Sequence, residues 1–290
     1  METTIAFVGA GSITEALLRG MITTGTTLPS AIRVTNRSNR ERRLMLAQTF
    51  GIRACDTVEE TVREAGIIFL CMKPKDVAQS LSEIARFASP DALYISVAAG
   101  CSLALMMAVI EQTRQIEESP TSRQPRIIRA MPNTSCAVLE SATAYALGPA
   151  CTEHDAARAE HLLRAVGACY RMHEEQLDAV TGLSGSGPAY VYYLVEALTQ
   201  AGIAVGLRED VTISLVTQTL VGAAAMLRQT DVTPAVLRER VTSPGGTTMA
   251  GIGVLEERGF KEAVRLAVIA ATRRATELGA AMTVPESRIG

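Results

Sequence analysis

The sequence predicts an α/β chain in two parts, a mostly parallel sheet flanked by helices followed by an all-helical part. Three observations carry this reading. In the first half, short apolar runs alternate with helical patterns, the signature of strand–helix–strand units. After about His173, strand signals stop and long Ala- and Leu-rich helical segments take over. A length of 290 residues is room for roughly two cores. The expected division is 1–172 and 173–290.

Thr4–Val8 reads as the first strand, an apolar run stopped by glycine, and Ser12 to Thr24 as the helix after it. Ile32–Thr35 is the second strand. Gly66–Leu70, Leu93–Val97, Arg126–Met131 and Ala142–Leu147 repeat the pattern, and Ala168–Arg171 is a last short strand. Helical patterns fill the intervals at Arg40–Phe50, Thr57–Ala65, Lys75–Phe87, Leu103–Glu117 and Asp155–Val166. Glu118–Pro125, polar and proline-bounded, reads as a surface loop. In the second part Pro188–Ala201, Arg208–Leu227, Pro234–Val241, Thr248–Glu257 and Phe260–Leu278 fit helices punctuated by Gly and Pro. The run Val211–Met226 holds no charged residue and is apolar nearly all round. Such a helix is buried on every side, which a small helical domain achieves poorly alone, so a second subunit is inferred to cover it.

A net charge of −2 and a pI near 6.0 leave no basic footprint, which speaks against nucleic acid or an anionic membrane as partner. No stretch approaches the roughly 18 uninterrupted apolar residues of a membrane span. The opening METT runs straight into a strand without a basic and then apolar leader, which argues against export. Cys55, Cys71, Cys101, Cys136, Cys151 and Cys169 form no CxxC pair and read as thiols of a reducing, cytoplasmic compartment. His154, His161 and His173 lack partners at metal-ligand spacing, and no metal site is expected.

FVGAGSIT, at Phe7–Thr14, has the context a dinucleotide fingerprint requires, a glycine-rich turn between an apolar strand and a helix. Gly9 allows the tight turn, and Gly11 lets backbone amides approach a pyrophosphate at the positive helix end. Ala10, Ser12 and Ile13 complete the expected contact. The third position, normally Gly or Ala for close packing, is Thr14, a departure expected to loosen that packing. At the end of the second strand stand Asn36, Arg37 and Ser38, where an NAD site would place an acid for the ribose hydroxyls. Arg37 and Ser38 offer donors to a 2′-phosphate instead, so NADP is expected, with NADPH preferred over NADH. The plainer reading leaves Arg37 as one solvated arginine of NRSNRERR. Met72, Lys73 and Pro74, and then Ala98, Ala99 and Gly100, fall at the carboxyl ends of later strands, where open α/β sheets bind ligands. Small residues at 98–100 leave room for a flat ring. Lys73 has two readings, a cofactor contact and a capping or salt-bridge role.

FVGAGSITEALLRG, TNRSN, MKP, SVAAG, RAMPNT, DAVTGLSGSGPAYVYYLVEAL, AGIAVGL and VTSPGGTTMAGIGVLE together resemble the pyrroline-5-carboxylate reductases over essentially the whole chain. DAVTGLSGSGPAY and VTSPGGTT are the most specific of these. The resemblance implies a Rossmann-type domain followed by an all-helical domain that interlocks in a homodimer, often assembled further. It implies NAD(P)H-dependent reduction of 1-pyrroline-5-carboxylate to L-proline, the last step of proline biosynthesis. Ser12-Ile13-Thr14 and Ser135 depart from the commoner residues, Ser135 standing where a proline usually follows RAMPNT.

Reducing a cyclic imine needs a hydride donor, a grip on the carboxylate and polarisation of the C=N bond, and no nucleophile. Ser243, Gly245, Gly246, Thr247 and Thr248 suit the last two tasks, since two glycines permit a backbone nest and the next helix start presents N–H groups to a carboxylate. The plainer reading is a Pro-Gly turn with a threonine N-cap. By family resemblance Thr248 hydrogen-bonds the imine nitrogen and is the catalytic residue, orienting or relaying a proton from water unless the substrate binds already protonated. Ser184–Pro188 would approach the nicotinamide, and Glu174 is a further candidate for the ring nitrogen. Two alternatives stand beside this. A β-hydroxyacid dehydrogenase-like enzyme would need a lysine that Pro188–Gln200 lacks, and a catalytically weak regulatory or NADP-sensing paralogue is encouraged only by Thr14 and Ser135.

Overall fold

The computed structural model describes residues 3–117 and 123–282, so most of the loop expected at Glu118–Pro125 falls outside it. The chain forms two compact units, Met1–Ser186 with Ala271–Gly290, and Gly187–Ala270.

The first unit is built on one sheet of eight strands: β1 (Ile5–Val8), β2 (Ile32–Thr35), β3 (Arg53–Ala54), β4 (Ile67–Leu70), β5 (Leu93–Ser96), β6 (Arg126–Met131), β7 (Ser141–Leu147) and β8 (Gly167–Arg171). Their order is β3-β2-β1-β4-β5-β6-β7-β8, parallel throughout except between β6 and β7. The first six strands thus follow the doubly wound Rossmann order. The two-residue β3 was not expected, being too short to carry a periodic signal.

Alternation along the strands sorts the core into two layers. Ile5, Phe7, Val34, Phe69 and Ile95 face one side and pack with Leu17, Leu18, Met21, Leu46 and Leu163. These last belong to α1 (Ser12–Thr23), α2 (Arg40–Phe50) and α6 (Glu153–Leu163). Ala6, Val8, Ile68, Leu70 and Tyr94 face the other side, where α3 (Val58–Val62), α4 (Val77–Phe87) and α5 (Leu103–Ile116) supply Val62, Leu81, Ile84, Met106 and Ile110. Phe7 and Phe69, in register on β1 and β4, stack with centroids 4.7 Å apart. Strand order reverses at β1, so the carboxyl ends of β1 and β4 form the switch-point crevice where such sheets bind ligands.

Beyond β8 the chain stays on the sheet. It runs through α7 (Leu177–Val180) and a π-helical segment, Thr181–Gly185. Leu177 is buried against Ala144 and Ala146. Arg129, itself buried, pairs with Glu174 at 3.3 Å and Asp178 at 3.0 Å. These contacts explain why the compact units part at Ser186 and not at the expected 172/173 division. The second unit holds α8 (Gly187–Ala204), α9 (Glu209–Gln229), α10 (Pro234–Arg240), α11 (Thr247–Glu257) and the start of α12 (Phe260–Ala280). The last turns of α12 count with the first unit, where Ala275 is buried and Thr276 Oγ1 donates to Asp178 Oδ2 at 3.0 Å.

In the second unit only Thr199 and Thr212 are buried. Val211, Ile213, Leu215, Val221, Met226 and Leu227 of α9 are all exposed on the single chain. One chain thus leaves this helix uncovered, as expected of a run that a small helical domain buries poorly alone. Among the described residues α9 is also the one helix long and apolar enough to cross a membrane.

Candidate functional site

A cleft of about 370 Å³ opens at the switch point between β1 and β4. It brings together Gly9, Ala10, Gly11, Asn36, Arg37, Ser38, Met72 and Lys73, all expected from the sequence. Gly9 has φ +113°, and a Cβ there would sit 2.5 Å from the Cys71 carbonyl oxygen, so the turn admits no side chain. Gly11 is the N-cap of α1, has no side-chain cap, and has nothing within 4 Å of the place a Cβ would take. Ser12 and Ile13 follow as the first residues of α1. An uncapped helix start above open space is a fitting cradle for a pyrophosphate.

Thr14 is fully buried, and its hydroxyl donates to the Gly9 carbonyl at 2.8 Å. The extra atoms of the threonine thus find an acceptor within the turn itself.

The second strand ends in an Asx turn, with Asn36 Oδ1 accepting from the amides of Ser38 (3.1 Å) and Asn39 (2.9 Å). Asn36 thereby presents Arg37 and Ser38 to the cleft. Arg42 was hidden in the arginine run. It donates from Nε to the Ala10 carbonyl at 3.2 Å and pairs with Glu15 in the first turn of α1. The Glu15 carboxyl is held below its ordinary value, chiefly by that hydrogen bond. The negative charge nearest the helix start is thus compensated by a cation. Lys75, Asp76 and Ser80 also line the cleft and carried no motif signal.

Lys73 makes no ion pair among the described residues, and Pro74 begins the short turn Pro74–Asp76. Ala98, Ala99 and Gly100 follow β5 but do not line this cleft. Ala98 is buried, and Gly100 lies against Gly279 and Met282 at the end of α12. Glu174 Oε1 accepts from the Leu103 amide at 2.7 Å and from Arg129, so its carboxylate is engaged within the first unit and not extended as a free ligand.

In the second unit, Ser243–Gly246 is a turn closed by the Gly246 amide on the Ser243 carbonyl at 3.0 Å. Pro244 and Gly245 are its central residues, and Gly245 at φ +70° takes the left-handed position that a type II turn reserves for glycine. Gly246 is the N-cap of α11 and no side chain caps it. The threonine N-cap considered from the sequence is therefore absent. Thr247 and Thr248 are the first two residues of the helix, both exposed, with their N–H groups at the positive helix end.

Asn133 Nδ2 donates to the Ser184 carbonyl at 3.0 Å, tying the RAMPNT loop to the π segment that precedes Ser186. Ser135 donates its amide to Asn133 Oδ1 at 3.1 Å, a bond a proline could not make. All six cysteines are free. Burial raises every one, Cys71 beside the cleft to about 12. No group of three or more potential metal-ligating side chains occurs among the described residues.

Comparison with known proteins assigns both halves. A family described as pyrroline-5-carboxylate reductase dimerisation matches residues 174–278, and one described as NADP oxidoreductase, coenzyme F420-dependent, matches residues 4–100. The chain is 40% identical to a pyrroline-5-carboxylate reductase of Arabidopsis thaliana over 94% of its own length and 95% of the relative's. It is 39% identical to pyrroline-5-carboxylate reductase 2 of Bacillus subtilis, with 94% of each chain covered. Among solved structures, a pyrroline-5-carboxylate reductase from Coxiella burnetii superposes with a TM-score of 0.86 at 32% identity, covering 95% of this chain and 98% of that one. The Plasmodium falciparum pyrroline carboxylate reductase, solved with NADP bound, gives 0.80 at 27% identity, covering 96% and 98%.

Proposed function

The chain belongs to the pyrroline-5-carboxylate reductase family, and from that premise we propose how its own residues divide the work. It is an NAD(P)H-dependent oxidoreductase that reduces 1-pyrroline-5-carboxylate to L-proline in proline biosynthesis. The observation that carries the proposed division is the open start of α11, where a type II turn leaves the first helical amides uncapped beside two threonine hydroxyls.

When bound, the cofactor would supply a hydride to the imine carbon. Gly9, Ala10, Gly11, Ser12 and Ile13 would hold its pyrophosphate, with Met72, Lys73 and Pro74 beside it and Ala98–Gly100 facing the ring. Arg37 and Ser38, presented by Asn36, support NADPH as the preferred donor. In the second unit Ser243, Gly245, Gly246 and Thr247 form the carboxylate nest, and the Thr248 hydroxyl bonds the imine nitrogen, whose charge changes as the C=N π bond gives way. The proton reaches that nitrogen from water through Thr248, or arrives with the substrate. Glu174 acts as a positioning residue for the start of α5 and for Arg129.

The functional boundary lies near residue 173, cofactor before it and substrate and dimerisation after, and the dimerisation match from 174 supports this. A homodimer with interlocked helical units would cover α9, which accounts for its exposed apolar face better than a membrane does. Six free, buried or half-buried thiols suit the cytoplasm. The packing of Thr14 removes an argument for a weak paralogue, and Pro188–Gln200 still lacks the lysine a hydroxyacid dehydrogenase would use. The test is purified enzyme with 1-pyrroline-5-carboxylate: one proline formed for each NADPH consumed is expected. Cofactor loss without proline would overturn the reading.

A further inference from the structure

The Arg37 guanidinium is gripped by two acceptors. Nη1 donates to Gln79 Oε1 at 2.9 Å, and Nη2 lies 3.3 Å from Asp76 Oδ1. A guanidinium carries five N–H donors, so these two contacts fix its plane while leaving three for a ligand.

Asp76 stands at the N-cap position of α4, where an aspartate ordinarily accepts from the helix amides, yet its side chain makes no such cap. Its carboxylate instead lines the cleft together with Arg37, Ser38 and Lys75. The cleft wall that offers donors to a 2′-phosphate therefore also holds an acid. An acid at this wall is what an NAD site uses to accept from the ribose 2′-hydroxyl.

We propose that Asp76 is a specificity-determining residue of the cofactor cleft, one that orients Arg37 while its carboxylate opposes a 2′-phosphate and accepts from a 2′-hydroxyl. The inference rests on reading the cleft as the NADP site. Two effects of opposite sign follow from one side chain. Asp76 and Gln79 pre-organise Arg37, which aids phosphate binding, but the carboxylate repels a group carrying close to two negative charges. Lys75 keeps cations in excess at this wall, so the preference still runs toward NADPH. Asp76 narrows it and leaves NADH a usable donor.

The test is kcat/KM for NADPH and for NADH, measured on the intact oligomer for wild type, Asp76→Asn and Arg37→Ala. Asparagine keeps an oxygen for Arg37 and removes the charge. The NADPH-to-NADH ratio of Asp76→Asn is expected to rise about three- to tenfold, the size of removing one half-exposed like charge beside a phosphate. The NADPH value should climb and the NADH value should fall. A rise below threefold, or a fall, overturns the role of Asp76. Arg37→Ala separates the two layers of the argument and should lower the ratio about tenfold or more. If it does so while Asp76→Asn leaves the ratio unchanged, only the Asp76 inference is lost. If Arg37→Ala leaves the ratio unchanged, the NADP reading of this wall is itself wrong.

Discussion

Thr14 and Gly9 are joined by a 2.8 Å hydrogen bond from the threonine hydroxyl to the glycine carbonyl, at the centre of the glycine turn after β1. Gly9 also donates its amide to the Thr35 carbonyl at 3.0 Å, so the turn is tied to both the helix after it and the neighbouring strand. Thr14→Val keeps the shape and deletes the bond. Loss of one buried hydrogen bond is expected to cost about 1–2 kcal/mol of stability. With the turn less fixed, KM for NADPH is expected to rise about threefold to tenfold. Thermal denaturation and steady-state kinetics check both, and a variant with wild-type Tm and KM would show the bond to be idle.

What could be read from the sequence was whatever a local pattern carries. Strands β1, β2 and β4 to β8 and the glycine turn at Gly9–Gly11 have short apolar runs and fixed spacing, and they lie where expected. Arg42 and Asp76 escaped for different reasons. Arg42 is chemically indistinguishable from its neighbours in NRSNRERR until folding brings its Nε to the Ala10 carbonyl. Asp76 carries no motif signal, and only the fold brings its carboxylate to Arg37. The acceptor that the Thr14 hydroxyl finds, the Gly9 carbonyl, is likewise set by the fold and not by a packing rule for small residues. Glu174 was legible as an acid near the site, but its partners, Leu103 and Arg129, are far away in sequence.

Helix α9 is expected to tie folding of the second unit to assembly. Leu215 and Val221 are both more than half exposed on the single chain, in a run, Val211–Met226, that holds no charged residue. Wild type is expected to be a dimer or larger at micromolar concentration. Leu215→Lys together with Val221→Lys should shift light scattering toward monomer and lower the cooperativity of unfolding. A stable, folded wild-type monomer would contradict the assignment of this face.

Asp155 gives an acid-limb signature. It is fully buried, Oδ2 accepts from the Thr152 amide at 3.0 Å and hydroxyl at 2.9 Å, and Oδ1 accepts from Arg126 at 2.9 Å. Burial, the largest single influence, pushes its carboxyl up, but the Thr152 bonds and the charges of Arg126 and Arg158 outweigh it and hold the group below its ordinary value of 3.8. The stabilisation is therefore complete above that ordinary value and is lost as pH falls through the lower folded-state value. Asp155→Asn should cost about 1–3 kcal/mol at neutral pH and flatten the loss of stability below about pH 4. An acid limb identical to wild type in urea titrations would remove Asp155 from the explanation.

The Ser243–Thr248 turn as the substrate site is tested most directly by the turnover number of Thr248→Ala beside that of Thr247→Ala. The first change deletes the hydroxyl proposed to bond the reacting nitrogen and leaves the turn and the helix amides in place. A bond worth roughly 1–3 kcal/mol in the transition state corresponds to a fall in kcat of about ten- to one-hundredfold, with NADPH affinity unchanged. Thr247→Ala, whose side chain is assigned to the nest alone, should cost less. Wild-type turnover in both variants would contradict the catalytic role given to Thr248, and loss confined to Thr247→Ala would transfer that role to its neighbour.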